Sequence, residues 1–233
     1  WEARKIWGSL VNDSRTWARQ ILYLLSSENI EDHKEIEEAK TRAIHRHIAF
    51  LYALKSNLRG DDKKHYRKYI SSEECIEVET HSNKHNAILN LQSKELKNFV
   101  TRDWINGFEF LELNKMLICF SDEMGMSERI KNTVFPTTYT FFTKLAIWLF
   151  VICTVAVFDE TVGPWCVLFG IIIGYVFLVI HFIGLALVNP FDLIPTGISL
   201  DQITRTIEIN LLETLKEPNI PPPVESFNNL YVM

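Results

Sequence analysis

Seven histidines, four cysteines and a series of acids are the side chains of this 233-residue chain with types suited to chemistry. His45 and His47 stand two apart in a helical stretch, so they point to different faces and cannot chelate one ion together. His81 and His85 have the i, i+4 spacing of a helical metal pair, but they fall in a stretch that reads as loop, where solvated histidines are the plainer account. His181 lies inside an apolar run of membrane-spanning length, and an ionisable group at that depth is a functional-site hypothesis. The plainer account is a neutral imidazole hydrogen-bonded to a neighbouring helix. Glu112, Asp122, Glu123 and Glu128 lie along one long helical stretch, a pattern that commonly makes a solvated face or an interface ion pair. Cys75, Cys119, Cys153 and Cys166 form no CxxC pair, which argues against a disulfide framework and against structural zinc. There is no GxSxG, P-loop, HExxH or GxGxxG motif. These residues point to no enzyme, no cofactor and no metal site, and a net charge of −5 leaves no basic footprint for nucleic acid.

The elements that must position these residues divide sharply in polarity. Leu145 to Phe158 is apolar except for Thr154, and extending back to Tyr139 gives about 20 residues, enough to cross a hydrocarbon core of roughly 30 Å. Lys144 sits one turn inside, where its stem can snorkel to the interface. A polar turn is expected at Asp159 to Pro164. A second apolar run, 165–188, is interrupted only by His181. Gly170 and Gly174 form a small-xxx-small pair that lets another helix approach closely. Asn189-Pro190 is expected to end it. Arg129, Lys131 and Lys144 precede the first span and the turn carries Asp159 and Glu160, so the turn should face outward and the long polar segments the cytoplasm.

Along the rest of the chain, apolar residues at helical spacing predict helices over 1–26, 31–59, 86–100, 102–131 and 199–217. Gly60 should cap the second. Ser71 to Glu74 and Ser82-Asn83 read as breakers in an irregular 61–86 segment, with a short helix around Tyr66. Ser199 with Gln202 fits a capping box for the last helix. Pro218 and Pro221 to Pro223 should stop it in an extended, exposed tail. The expected class is all-α: a helical region over 1–136, a transmembrane hairpin over 137–188 and a helix with a tail over 189–233. The chain opens on Trp1 without an initiator methionine or signal peptide and reads as part of something longer.

The run Glu128-Arg129-Ile130-Lys131-Asn132-Thr133 leads into Pro136 and two spans. Asn189-Pro190-Phe191 follows, then Thr204-Arg205-Thr206-Ile207-Glu208-Ile209-Asn210-Leu211-Leu212. Together with the opening 1–15 segment, His45 to Ala49, Leu54 and Leu58-Arg59, this order resembles the bestrophin family in its bacterial branch. The resemblance covers most of the chain. It implies a bestrophin-like homopentameric ion channel in the bacterial inner membrane, with most of the chain cytoplasmic. Its partners would be lipid and inorganic ions, and it would pass chloride and other monovalent anions. A cation-selective channel of the same fold and a non-channel membrane scaffold are the competing expectations.

The resemblance also implies an axial path with a membrane neck and a cytosolic aperture. The family's first span and neck lie upstream of the segment matching Trp1. The aperture ring would come from the helix before the first matched span, at Leu113, Met116, Leu117 or Phe120, which share one face at spacings of three and four. Eukaryotic relatives follow the Asn189-Pro190-Phe191 motif with an acidic calcium-ligating run. Here Asp192 and then Leu193 to Gly197 stand instead, leaving Asp192 and Asp201 nearby. Calcium takes six to eight oxygen ligands, so calcium gating is not expected.

Overall fold

A computed structural model of the chain describes residues 1–195 and 197–225, and it is all-helical over them. It divides into two compact units: Trp1–Lys131 together with the chain from Phe191 on, and Asn132–Pro190. Thr196 and the tail beyond residue 225 lie outside the described residues.

The first unit is built around α2 (His33–Arg59), preceded by a 3-10 turn at Ile30–Asp32 that Asn29 caps. Its second half is apolar on nearly every side, so it must be surrounded, and Ile44, Ile48, Phe50, Leu51 and Leu54 are fully buried. Gly60 ends it at φ 67°, the left-handed conformation that favours glycine. α1 (Glu2–Leu24) presents Ala3, Ile6, Trp7, Leu10, Trp17 and Ile21 to it at three- and four-residue steps. α4 (Lys84–Thr101) and α8 (Leu200–Thr214) pack on its other sides.

Three expectations change here. The stretch after Gly60 is not irregular: it forms a 3-10 turn at His65–Tyr69 and then α3 (Ser72–Glu79). Ser71 and Glu74, read as breakers, are the two halves of the capping box that starts α3. Conversely, Ser199 makes no side-chain cap bond at the start of α8, so the box expected with Gln202 is not formed. α5 (Gly107–Asn132) begins five residues later than its pattern suggested. Asn106 accepts from the amides of Phe108 and Glu109 there, which turns the chain after the buried Trp104.

The second unit is a pair of helices, α6 (Thr137–Val162) and α7 (Trp165–Ala186), packed on one another. At 1.5 Å per residue each exceeds the roughly 30 Å of a hydrocarbon core. The connection is tighter than expected, because Asp159 to Val162 stay helical and only Gly163-Pro164 turns, with Gly163 at φ 61°. The two helices approach through glycine: a Cβ on Gly170 would stand 2.5 Å from Val155 Cγ2, and one on Gly174 3.0 Å from Val151 Cγ2. Most apolar side chains of both helices face outward, with Trp148 58% and Ile171 63% exposed. A hairpin inside a soluble core would bury these groups. An apolar surface of this extent suits lipid.

Candidate functional site

α5 carries two apolar stripes. Leu113, Met116, Leu117 and Phe120, the expected aperture residues, all point into the core of their own protomer, with Leu113 and Phe120 fully buried. Phe120 lies 4.3 Å from the His47 ring and about 6 Å from the Trp17 and Phe50 rings. Phe108 (84% exposed), Leu111 (60%) and Ile118 (54%) make the second stripe. At 3.6 residues per turn these three fall within about 80° of one another and on the side away from the buried four. The first stripe is covered by its own protomer, and the second is not. The sequence reading singled out only the first stripe.

The loop after the hairpin is anchored by charge. Phe191 is fully buried in the core of the first unit, and short turns follow at Asp192 and Ile194. Asp201, in the first turn of α8, pairs with Lys55 at 2.6 Å and Arg59 at 3.8 Å. The Arg59 guanidinium also donates to the Ile198 carbonyl at 3.3 Å and feels the charges of Asp192 and Asp61. Asp201 is therefore committed to two cations of α2. Among the described residues no group of three or more His, Cys, Asp or Glu has metal-ligating geometry. Asp201→Ala is expected to destabilise the protein by about 3 kcal/mol, because it leaves the nearly buried Lys55 without its carboxylate and weakens the pairing of Arg59. Micromolar calcium should leave the wild-type melting temperature unchanged, and scanning calorimetry with and without calcium reads both effects.

The histidines divide by surroundings. His47 meets Ser14 Oγ at 2.8 Å in the core, and burial pushes its pKa down to about 3. His85 is a helical residue of α4, not part of a loop: it is buried and bonds Glu128 of α5 at 2.7 Å, while His81 stands in the turn before α4. His45 meets Glu217 at 2.5 Å. His181 is 9% exposed in α7, its Nε2 buried without a hydrogen-bond partner among the described residues. Lys144 of the same hairpin lies 5.7 Å over the Phe182 ring.

The acids of α5 are not one solvated face. Glu112 and Asp122 are exposed, but Glu123 is 4% exposed. Burial, then the charge of Asp13 on α1 and of Asp122, push its pKa up to about 9. The segment quoted from α8 also has a packing role. Glu208 is buried, accepts from Tyr52 at 2.5 Å and from Tyr69, and forms an ion pair with Arg205 at 3.1 Å, while Arg15 of α1 donates to Asn210 at 2.8 Å. These bonds fasten α8 across α1 and α2. Both tyrosines have raised pKa values, first from burial and then from the Glu208 carboxylate.

An all-helical fold with a lipid-suited hairpin defines a helical membrane protein, and the comparisons agree. The sequence profile described as bacterial/fungal bestrophin protein matches residues 1–213, and the chain belongs to that family. It is 28% identical over 222 residues to a voltage-dependent anion channel-forming protein of Nostoc sp., covering 94% of this chain and 71% of that one. It is 26% identical over 225 residues to the voltage-dependent anion channel-forming protein YneE of Escherichia coli, covering 96% and 71%. The crystal structure of a bacterial bestrophin homologue from Klebsiella pneumoniae shares the fold at a TM-score of 0.82. Its identity is 24%, over 94% of this chain and 78% of that chain. The family is one of channels, not enzymes.

Proposed function

We propose that this chain is a subunit of a homopentameric channel that passes chloride and other monovalent anions across the bacterial inner membrane. The observation that carries the reading is the family match over residues 1–213, joined to relatives whose names describe anion channel formation. The hairpin gives the subunit its membrane contact, since α6 and α7 are long enough to span and expose apolar side chains along their length. Arg129, Lys131 and Lys144 before the span, against Asp159 and Glu160 near the turn, support a cytoplasmic helical unit.

Conduction requires a ring, because one hairpin with few polar groups offers ions no aqueous path. The cytosolic aperture would draw on the outward stripe of α5, Phe108, Leu111 or Ile118, whose apolar tips resist ions by dewetting without any charge. Native mass spectrometry of the full-length protein in mild detergent tests the assembly. Five protomers are expected, and a monomer or dimer as the dominant species would contradict it.

A further inference from the structure

α1 and α5 run antiparallel, with Arg129 3.3 Å from Glu2 at one end and the Phe120 ring 6.0 Å from Trp17 further along. Between those contacts four oxygen-bearing side chains come together. Ser9 and Asp13 stand one turn apart on α1, and Glu123 and Ser127 one turn apart on α5. Asp13 and Ser9 are the α1 groups that act on the Glu123 carboxyl. Asp13 is half-buried, and Ser9 is exposed, so the group opens to solvent on the Ser9 side. The channel reading uses none of the four.

The bonding of the buried pair is incomplete. Glu123 is 4% exposed and Ser127 is fully buried. Among the described residues, neither carboxylate oxygen of Glu123 nor Ser127 Oγ makes a hydrogen bond of good geometry, and all three are shut off from solvent. The charges around them are acids. Asp13 and Asp122 both act on Glu123, and Asp13, Glu123 and Asp122 act together on the neighbouring Cys119 thiol, with Lys115 the smaller opposing charge there. Neither Asp13 nor Glu123 has an ion pair among the described residues, and Arg129 is engaged by Glu2. One proton on Glu123 supplies one donor, which leaves the other carboxylate oxygen and Ser127 Oγ still without a partner. Buried oxygens in that state cost free energy until something positive completes them.

We propose that Ser9, Asp13, Glu123 and Ser127 form a site for a small monovalent cation, sodium in kind, which bridges α1 and α5 in place of the proton. Carboxylates and hydroxyls are ligands for a hard cation. Calcium takes six to eight oxygens and magnesium keeps several waters, and a site closed to solvent at Glu123 and Ser127 supplies neither. A sodium ion can be held by a few protein oxygens in a largely dry site. The ion fastens α5, which carries the outward apolar stripe, to α1. Its binding does not depend on which ion the channel conducts.

The test is thermal melting of the full-length protein in detergent, with sodium chloride exchanged for choline chloride at constant total salt. At pH 9, sodium at about ten times its dissociation constant should raise the melting temperature by about 3–5 °C over choline, with a saturable dose dependence. At pH 5 the carboxyl of Glu123 holds its proton and the two salts should give the same melting temperature. Glu123→Gln keeps the shape of the side chain and should abolish the sodium effect at pH 9. Ser127→Ala removes one ligand and should weaken it, so that more sodium is needed for the same shift. Glu112→Gln, exposed on the same helix about three turns away, should leave it unchanged. Equal melting temperatures in the two salts at pH 9 would overturn the proposal. So would a sodium effect that persists at pH 5 or survives both Glu123→Gln and Ser127→Ala undiminished.

Discussion

Phe120→Ala is expected to destabilise the protein by about 3–5 kcal/mol, while Phe108→Ala changes stability by less than about 0.5 kcal/mol. Both are phenylalanines on one helix, one turned inward and one outward. Phe120 is fully buried against Trp17, His47 and Phe50, so truncation leaves a cavity those rings can only partly close. Phe108 is 84% exposed and leaves no cavity in the protomer. The ranking reverses for permeation. If the aperture ring is on the outward stripe, one of Phe108→Ala, Leu111→Ala and Ile118→Ala widens it and alters conductance or relative permeability with the oligomer intact. Alanine at Leu113, Met116 or Leu117 should act through stability instead. Thermal melts and single-channel records on the same seven variants separate the two outcomes. An altered permeability confined to the buried positions would return the aperture to the inward stripe.

Glu123→Gln is expected to stabilise the protein at alkaline pH and to flatten one side of its pH–stability profile. The wild-type carboxyl has a folded pKa raised from its ordinary 4.5 to about 9, so the folded state binds the proton more tightly than the unfolded state. Its penalty is absent below about pH 4.5 and grows as pH rises to 9, reaching up to roughly 6 kcal/mol. His47 works in the opposite direction. Its folded pKa is lowered from 6.5 to about 3, so its penalty is absent above about pH 6.5 and grows as pH falls. The wild type should therefore lose stability toward both extremes. Glutamine at position 123 removes the alkaline decline and leaves the acid arm that His47 produces. Melting temperatures taken from pH 4 to pH 9 on the two proteins should part above pH 5 and converge below it; parallel curves would show that Glu123 is not the group responsible.

The hairpin and the long helices were legible because their signals are local. Span length, the Gly170/Gly174 pair and the Gly60 stop are each set by a few consecutive residues, and the structure places helices there. The 61–86 segment was misread because Ser71 and Glu74 favour a helix start as strongly as a break, and only their reciprocal bonds decide. Glu123 was invisible because its burial depends on α1 closing over it, a contact more than a hundred residues away in sequence. The same holds for α5. Apolar residues on two sides of a helix say that both sides avoid water, and not which side the protomer covers itself. Asp201 was read only as one of two acids left near the Asn189-Pro190-Phe191 motif, and its pairing with Lys55 and Arg59 of α2 could not be seen from its own surroundings in the sequence.

The central claim is a channel for anions, and the reversal potential tests it most directly. Full-length protein is incorporated in planar bilayers separating a tenfold gradient of potassium chloride. An anion-selective channel gives currents that reverse near the chloride equilibrium potential and keep that value when potassium is replaced by a large organic cation. Reversal near the potassium equilibrium potential would make the protein a cation channel of the same fold. Absence of any unitary current from an assembled oligomer would point to a scaffold, and either result contradicts the account.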